Sequence, residues 1–190
     1  FEQPEYPKNP NFVGRPRDVM YTWATDKDDD TADPRFGKVG RQRIEMRGAL
    51  GAKRMETFDD EVLAATSDWL GRTGKTGKPF FLWFNPTRMH QTTHVSPEWL
   101  GKSGHSRYAD GLLHLDAIVG KLLKQLDDMG VANNTIVLFT SDNGVNLAHW
   151  PDAGTASFRG EKGLTWDGGF RVPMLARWPG HIEAGRVSNA

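Results

Sequence analysis

Hydrophobic residues recur at helical spacing in two stretches of the sequence. The stretch from Asp59 to Leu70 carries one stripe made of Val62, Leu63, Ala65, Thr66, Trp69 and Leu70. A longer stretch ends at Gly130 and carries Tyr108, Leu112, Leu115, Ile118, Val119, Leu122, Leu123 and Leu126. Apolar residues three and four positions apart lie on one face of a helix. The pattern therefore predicts two helices, the first ending at Gly71 and the second at Gly130.

Short apolar runs without helical spacing are typical of buried strands. Residues 80–84 read FFLWF, residues 135–140 read the β-branched run TIVLFT, and residues 170–177 are expected to form a further strand. The long helix lies between the first two runs, and the order strand, helix, strand predicts a βαβ unit with parallel strands. The predicted fold class is α/β, with a mostly parallel sheet flanked by helices.

The beginning of the chain differs from the rest. Residues 1–57 are rich in Pro, Gly, Asp, Arg and Lys and show neither helical nor strand periodicity. We therefore predict a loop-rich covering segment over residues 1–57. Residues 58–190 are expected to form the central α/β part of the same domain.

The charge balance excludes several classes of partner. The sequence has 24 basic and 24 acidic residues among 190, so it has no overall field that would hold nucleic acid. No apolar run approaches the roughly 20 residues that span a bilayer. The absence of cysteine excludes disulfides, thiolate metal sites and a cysteine nucleophile within these residues. We expect neither a nucleic-acid partner nor a membrane span.

Polar residues directly after buried strands are the first candidates for chemistry, because ligands of open α/β sheets lie outside the carboxyl ends of the strands. Asp142 and Asn143 follow the run at 135–140 and offer a carboxylate and an amide carbonyl side by side. Hard oxygen ligands suit calcium or magnesium. A plain turn is the alternative, and the tetrapeptide SDNG by itself favours it. His90 follows the run at 80–84 after a short loop.

A glycine-rich loop is predicted over residues 160–169. Lys162 stands there between glycines, with Gly160 before it and Gly163 after it. Such a backbone approaches an anion closely while the lysine supplies a point charge, which suits sulfate or phosphate. A flexible surface loop is an equally good reading of this segment alone.

These motifs together resemble the sulfatases of the alkaline-phosphatase-like superfamily, and specifically their bacterial arylsulfatase-like members. The likeness covers nearly the whole chain. It is carried by YTWATD at 21–26, RMETFDD at 54–60, FNPTRMH at 84–90, YADG at 108–111, SDNG at 141–144, GEKG at 160–163 and GGFRVP at 168–173.

The resemblance implies a role for each candidate residue. Asp142 and Asn143 are implied calcium ligands, Lys162 a contact of the sulfate group, and His90 a hydrogen-bond partner of the sulfate or of the leaving oxygen. The implied nucleophile is a formylglycine made from Cys or Ser in a C/S-x-P-S/A-R motif. A pair of adjacent aspartates completes the metal site in this family. The sequence has no counterpart of the nucleophile motif, of this aspartate pair at the start of the family's domain, or of the family block Gly-Lys-Trp-His.

The chain is therefore expected to be an internal fragment, with an incomplete alkaline-phosphatase-like fold and the nucleophile located before Phe1. We expect the isolated chain to bind calcium poorly and to be inactive. The implied function is calcium-dependent hydrolysis of small-molecule or glycan sulfate esters. Two alternatives stay open: a phosphoester or phosphonate hydrolase of the same superfamily, and a noncatalytic anion-binding relative. No export signal is read, although a periplasmic or secreted location is the commoner one among such bacterial enzymes.

Overall fold

A computed structural model describes residues 18–28, 32–33, 37–38, 40–90, 93–154 and 157–188. The chain divides into two compact units, Phe1–Glu56 and Thr57–Ala190. The predicted division after residue 57 falls beside this boundary, and the assignment of both parts to one catalytic domain stays a prediction. Among the helices in the described ranges, none combines the length and the apolar character that crossing a bilayer requires.

The first unit is built around an antiparallel pair of strands. Strands β1 and β4 pair with each other, and the short strands β2 and β3 do the same. The elements of this unit are β1 (Asp18–Ala24), β2 (Ala32–Asp33), β3 (Gly37–Lys38), β4 (Gln42–Ala49) and the single-turn helix α1 (Ala52–Met55).

The prediction of a loop-rich segment over residues 1–57 is wrong for β1 and β4, while residues 1–17 lie outside the described part. The strands escaped detection because aromatic residues of β1 face arginines of β4. The Arg43 guanidinium lies 4.3 Å from the Trp23 ring centroid, and that of Arg47 lies 4.8 Å from the Tyr21 ring centroid. Aromatic and charged side chains on one face give no alternation of apolar and polar residues in the sequence. Cation–π contacts between these side chains nevertheless hold β1 and β4 together.

The second unit contains the two long helices and a second strand pair. Its elements are α2 (Phe58–Gly74), α3 (Arg107–Asp128), a 3-10 turn (Ala132–Asn134), β5 (Val137–Thr140), the short helix α4 (Asp167–Phe170) and β6 (Met174–Arg177).

The two predicted helices are confirmed, and α2 packs against α3. Leu63 and Leu70 of α2 and Leu115, Ile118 and Leu126 of α3 are buried, as their stripes predicted. The predicted end of α2 at Gly71 is wrong, because the helix continues to Gly74. A glycine inside a helix costs only about 1 kcal/mol relative to alanine. The left-handed conformation that terminates helices is found instead at Gly77, with φ of 66°.

The predicted strand at 80–84 is not formed. Residues 80–84 belong to no ladder in the described part of the chain, and Phe81 and Trp83 are 81% and 75% exposed. An apolar run favours burial, but it becomes a strand only when a neighbouring strand takes up its backbone hydrogen bonds. The parallel βαβ unit is therefore not confirmed.

The other two strand predictions are confirmed in part. Strand β5 occupies residues 137–140 of the predicted 135–140, and β6 occupies only the second half of the predicted 170–177. Phe170 belongs to α4, and Pro173, which lacks a backbone N–H, precedes β6. The two strands pair antiparallel, from Val137 opposite Arg177 to Thr140 opposite Met174.

Asp110 fastens the segment before α3 to the first turn of that helix. Its Oδ2 accepts from the Gly101 backbone N–H and its Oδ1 from that of Ser103, both at 2.8 Å. Hydrogen bonds from the Ser103 side chain and backbone and from the Gly101 backbone lower the pKa of the Asp110 carboxyl below its ordinary value. The ionised carboxylate is therefore the form that the fold favours.

A crossing of glycines joins the segment after β5 to the glycine-rich loop. The Gly144 N–H donates to the Gly169 carbonyl oxygen, and the Gly168 N–H donates to that of Arg159, both at 2.8 Å. A Cβ atom on Gly144 would overlap the Gly168 carbonyl oxygen, and one on Gly169 would overlap that of Leu164. Only residues without a side chain permit this approach of backbone to backbone.

We expect the substitution Asp110→Asn to lower the thermal unfolding temperature at neutral pH, because an amide cannot accept both backbone hydrogen bonds. The folded-state pKa of Asp110 is lowered, so its contribution is fully present above the unfolded value. It is lost as the pH falls below about 4. The difference in melting temperature between wild type and variant should therefore shrink in acid. The exposed Asp116 of α3 is the control, and an equal loss in Asp116→Asn would contradict the assignment.

We expect the substitution Gly144→Ala to destabilise the second unit by about 1–3 kcal/mol, because the added methyl group forces the crossing backbones apart. The measurement is the denaturant midpoint of unfolding. Gly154→Ala is the matched control, since a Cβ atom there meets nothing within 4 Å. Equal midpoints for the two variants would show that the crossing does not constrain the fold.

Candidate functional site

The predicted pair of oxygen donors lies on the turn that follows β5. The Asn143 side chain donates from Nδ2 to the Gly144 carbonyl oxygen at 2.8 Å, which orients the amide. The Ser141 hydroxyl donates to the Asn143 carbonyl oxygen at 3.0 Å and closes the turn. The Asp142 side chain is exposed, and Asn143 is half-buried. The turn thus presents a carboxylate and an oriented amide in adjacent positions.

Lys162 is anchored beside this turn by its own backbone. Its N–H donates to the Val145 carbonyl oxygen at 2.8 Å, directly after the Asp142–Gly144 turn. The neighbouring Glu161 accepts at Oε2 from the Leu147 N–H at 2.7 Å. Lys162 therefore lies next to the predicted oxygen donors although it comes 20 positions after Asp142 in the sequence.

The glycines around Lys162 have a structural use that the sequence pattern did not indicate. Gly168 and Gly169 pack against carbonyl oxygens of the loop itself, and a Cβ on Gly160 would overlap the Trp166 side chain. Gly163 adopts the left-handed conformation with φ of 88°. The prediction that these glycines admit an anion stays a prediction, because the close backbone packing by itself requires most of them.

His90 closes a tight turn and interacts with both of the other candidate elements. Its N–H donates to the Thr87 carbonyl oxygen at 2.8 Å. Burial lowers the pKa of the His90 imidazole, the positive charge of Lys162 lowers it further, and the Asp142 carboxylate raises it. These interactions place His90, Lys162 and Asp142 in one electrostatic environment. Since the ordinary pKa is about 6.5, the lowered value leaves the imidazole neutral at pH 7.

Sequence reasoning missed the buried polar residues behind His90. Asp59 of α2 accepts at Oδ1 from the Thr87 N–H and from the Thr87 hydroxyl, both at 2.8 Å. Its Oδ2 lies 3.2 Å from Arg88 Nη1, and both side chains are fully buried. His114 of α3 is equally buried. Helical spacing did indicate that these two residues are buried. Asp59 is four positions before Leu63 in α2, and His114 is four positions before Ile118 in α3. Each therefore lies on the inward face of its helix.

The turn after β5 offers some of the ligands that a metal ion requires. Asp142 and Asn143 provide the hard oxygen donors that calcium prefers. Within the described ranges, no group of three or more His, Asp or Glu side chains is arranged to hold a metal. Calcium takes roughly six to eight oxygen ligands. The turn after β5 therefore fits part of a calcium site.

The sequence matches the family model described as Sulfatase over residues 3–190. Among curated proteins, it is 43% identical over 113 residues to the N-acetylgalactosamine-6-sulfatase of Homo sapiens, covering 58% of this chain and 22% of that protein. It is 39% identical over 131 residues to the steryl-sulfatase of Rattus norvegicus, covering 66% of this chain and 22% of that protein. The chain thus spans about a fifth of the length of these relatives.

Solved structures give the same result. The PsFucS1 sulfatase from Pseudoalteromonas sp. superposes with a TM-score of 0.72 at 32% identity, over 76% of this chain and 29% of that one. The protein Ps i-CgsB, crystallised in complex with k-i-k-neocarrahexaose, superposes with a TM-score of 0.61 at 29% identity, over 75% of this chain and 32% of that one. The family match and these neighbours agree on the fold, and the chain belongs to the sulfatase family.

Proposed function

We propose that this chain forms part of the active site of an enzyme that hydrolyses sulfate esters. Lys162 and His90 contact the sulfate group, and Asp142 and Asn143 hold a calcium ion beside it. The observation that carries the proposal is the hydrogen bond from the Lys162 N–H to the Val145 carbonyl oxygen, which holds Lys162 next to the turn of Asp142 and Asn143. The charges of Lys162 and Asp142 both act on the pKa of His90, which supports the assignment of His90 to the same region. Residues from three separate loops thus share one small region, and they combine a cation, a neutral imidazole and oxygen donors.

Lys162 supplies the positive charge that a sulfate group needs. Its backbone hydrogen bond to Val145 fixes the start of the side chain, and the side chain is half-buried. An ammonium group in a partly desolvated site stabilises negative charge on the nonbridging oxygens of sulfate more strongly than water does. The same positive charge lowers the pKa of His90 and so disfavours the protonated form of that imidazole in the absence of substrate.

His90 acts as a hydrogen-bond donor to the sulfate or to the leaving oxygen. A neutral imidazole has one N–H to donate, and burial and Lys162 both favour this neutral state. A bound sulfate ester carries negative charge, which raises the pKa of a neighbouring imidazole. Substrate binding therefore moves His90 toward the protonated form that can give a proton to the leaving oxygen.

Two further components belong to the proposal. Calcium, when bound at Asp142 and Asn143, supplies Lewis-acid stabilisation of the negatively charged sulfate oxygens. The nucleophile is proposed to be a formylglycine outside this chain, because neither a cysteine nor the C/S-x-P-S/A-R motif occurs in the sequence.

The proposed substrate is a sulfate ester of a glycan or of a small molecule. The named relatives include an N-acetylgalactosamine-6-sulfatase and a steryl-sulfatase, and one solved neighbour was crystallised with an oligosaccharide. A phosphoester hydrolase is less well supported, because the family model, the curated relatives and the solved neighbour PsFucS1 are all described as sulfatases.

We expect Lys162→Ala to lower kcat/KM for an aryl sulfate by about 100- to 1,000-fold, the effect of removing one charged donor from the site of developing charge. The assay uses the protein expressed with whatever sequence flanks this chain in its gene, and it compares an aryl sulfate with an aryl phosphate. Lys121→Ala, at an exposed lysine of α3, is the control. Preferential hydrolysis of the phosphate would favour the phosphoester alternative, and no turnover of either ester would favour the noncatalytic one.

We expect sulfatase activity to disappear when calcium is chelated and to return when calcium is added. Asp142→Ala should raise the calcium concentration needed for half-maximal activity by at least about tenfold, since it removes a charged ligand. The matched control is Asp116→Ala, at an exposed aspartate remote in sequence from the turn. Activity that is insensitive to chelation would rule out the proposed metal.

A further inference from the structure

A chain of buried hydrogen bonds connects the turn that carries His90 to both long helices. Asp59 of α2 holds the start of the turn through Thr87 and Arg88, and its Oδ2 also accepts from the Arg88 N–H at 3.3 Å. Together with the contact from Arg88 Nη1, four donors therefore converge on one carboxylate. An ionised carboxylate offers about four lone-pair sites, so Asp59 is fully used.

The same arginine continues the chain to α3. Arg88 Nη2 lies 3.0 Å from His114 Nδ1. The His114 ring, which is 1% exposed, stacks on Trp99 with ring centroids 4.9 Å apart and an interplanar angle of 12°. On its far side, His114 Nε2 lies 3.0 Å from Asp60 Oδ2. His114 thus stands between a guanidinium and a carboxylate.

This arrangement fixes the tautomer of His114. A guanidinium donates hydrogen bonds and cannot accept them, so His114 Nδ1 must present its lone pair to Arg88. The ring proton is therefore on Nε2, beside the Asp60 carboxylate. A proton on Nδ1 would place an N–H against the guanidinium and break the contact, so the tautomer with its proton on Nε2 is the one that keeps the contact with Arg88.

Helix α3 also touches the turn directly. A Cβ atom on Gly111, one turn before His114, would overlap the thioether of Met89. On the other side of His90, the Thr93 hydroxyl donates to the Thr87 carbonyl oxygen at 3.2 Å, and the Thr93 N–H donates to that of His90 at 3.1 Å. The His90 backbone is therefore held by hydrogen bonds at both its N–H and its carbonyl oxygen.

We propose that His114 is a positioning residue for His90, acting through Arg88, so that the reactive imidazole is set by a hydrogen-bond relay from α3. The inference rests on the proposed function, since it assigns His90 a role at the sulfate. His114 does not itself belong to the candidate site. Its contribution is geometric: with Nδ1 accepting, Arg88 keeps both of its buried contacts and the turn keeps its conformation.

The test uses two substitutions of His114. Both remove the ring that stacks on Trp99, and they differ in whether an acceptor atom remains at the position of Nδ1. The Asn side-chain oxygen takes nearly the position of His Nδ1, whereas the Gln amide extends to the position of Nε2. His114→Asn should therefore retain most of kcat for an aryl sulfate. His114→Gln should lower kcat by about 10- to 100-fold with little change in KM, as expected when a reactive group is misplaced. His105→Gln, at an exposed histidine, is the control.

A double-substitution cycle separates positioning from general loss of stability. When His90→Gln is already present, His114→Gln should cause little further loss of kcat, because its effect passes through His90. Thermal unfolding of each variant identifies loss of folded protein. An undiminished loss in the His90→Gln background, or equal losses in the Asn and Gln variants, would overturn the positioning role.

A second measurement does not depend on activity. The ¹⁵N chemical shifts of selectively labelled histidines should show His114 with an unprotonated Nδ1 and a protonated Nε2, and Arg88→Lys should change the Nδ1 shift. A proton on Nδ1 would overturn the relay. If the wild type hydrolyses no sulfate ester, or if His90→Gln is fully active, the proposed function fails in its own right. The tautomer measurement then still decides whether the relay exists.

Discussion

The buried carboxylate of Asp59 is the constraint on which much of the second unit depends. A charge removed from water is tolerated only when hydrogen bonds and an opposite charge replace its hydration. Asp59 meets this requirement through Thr87 and Arg88, and burial lowers the pKa of Arg88 while Asp59 and Asp60 raise it. Because the partners come from the turn before His90, satisfying one charge in α2 also determines where that turn lies.

The glycine crossing after β5 fixes the position of the glycine-rich loop through backbone hydrogen bonds, whereas Asp59 fixes the turn before His90 through a buried charge. The hydrogen bonds from Gly144 to Gly169 and from Lys162 to Val145 join the two loops through backbone atoms, and the Glu161 side chain adds a contact with the Leu147 N–H. The side chains of Asp142 and Lys162 take no part in these hydrogen bonds, as the proposed site requires. A site of this kind depends on rigid loop backbones. Because the glycines at the crossing have no Cβ atoms, the two backbones come close enough to form hydrogen bonds with each other.

The exposed aromatic residues in the run at 80–84 show that a hydrophobic pattern does not by itself produce a strand. Phe81 and Trp83 lie edge to face, with ring centroids 6.4 Å apart, and both remain largely in solvent. Their sequence is that of a buried strand, but Phe81 and Trp83 are not buried and residues 80–84 pair with no strand in the described part of the chain. In β1 and β4 the opposite occurred: pairing exists where no apolar alternation predicted it, because cross-strand cation–π contacts take the place of a buried face.

The sequence by itself determined the two long helices, the position of β5, the family, and His90, Asp142, Asn143 and Lys162 as candidates. Helical periodicity and short motifs are local properties, so they can be read without knowing what packs against them. Only the tertiary structure decided that β5 pairs antiparallel with β6, that the run at 80–84 has no partner in the described residues, and that Asp59, Arg88 and His114 stand behind His90. Strand pairing and buried charge pairs join residues that are far apart in sequence. Their energies depend on a partner residue that cannot be identified from the local sequence.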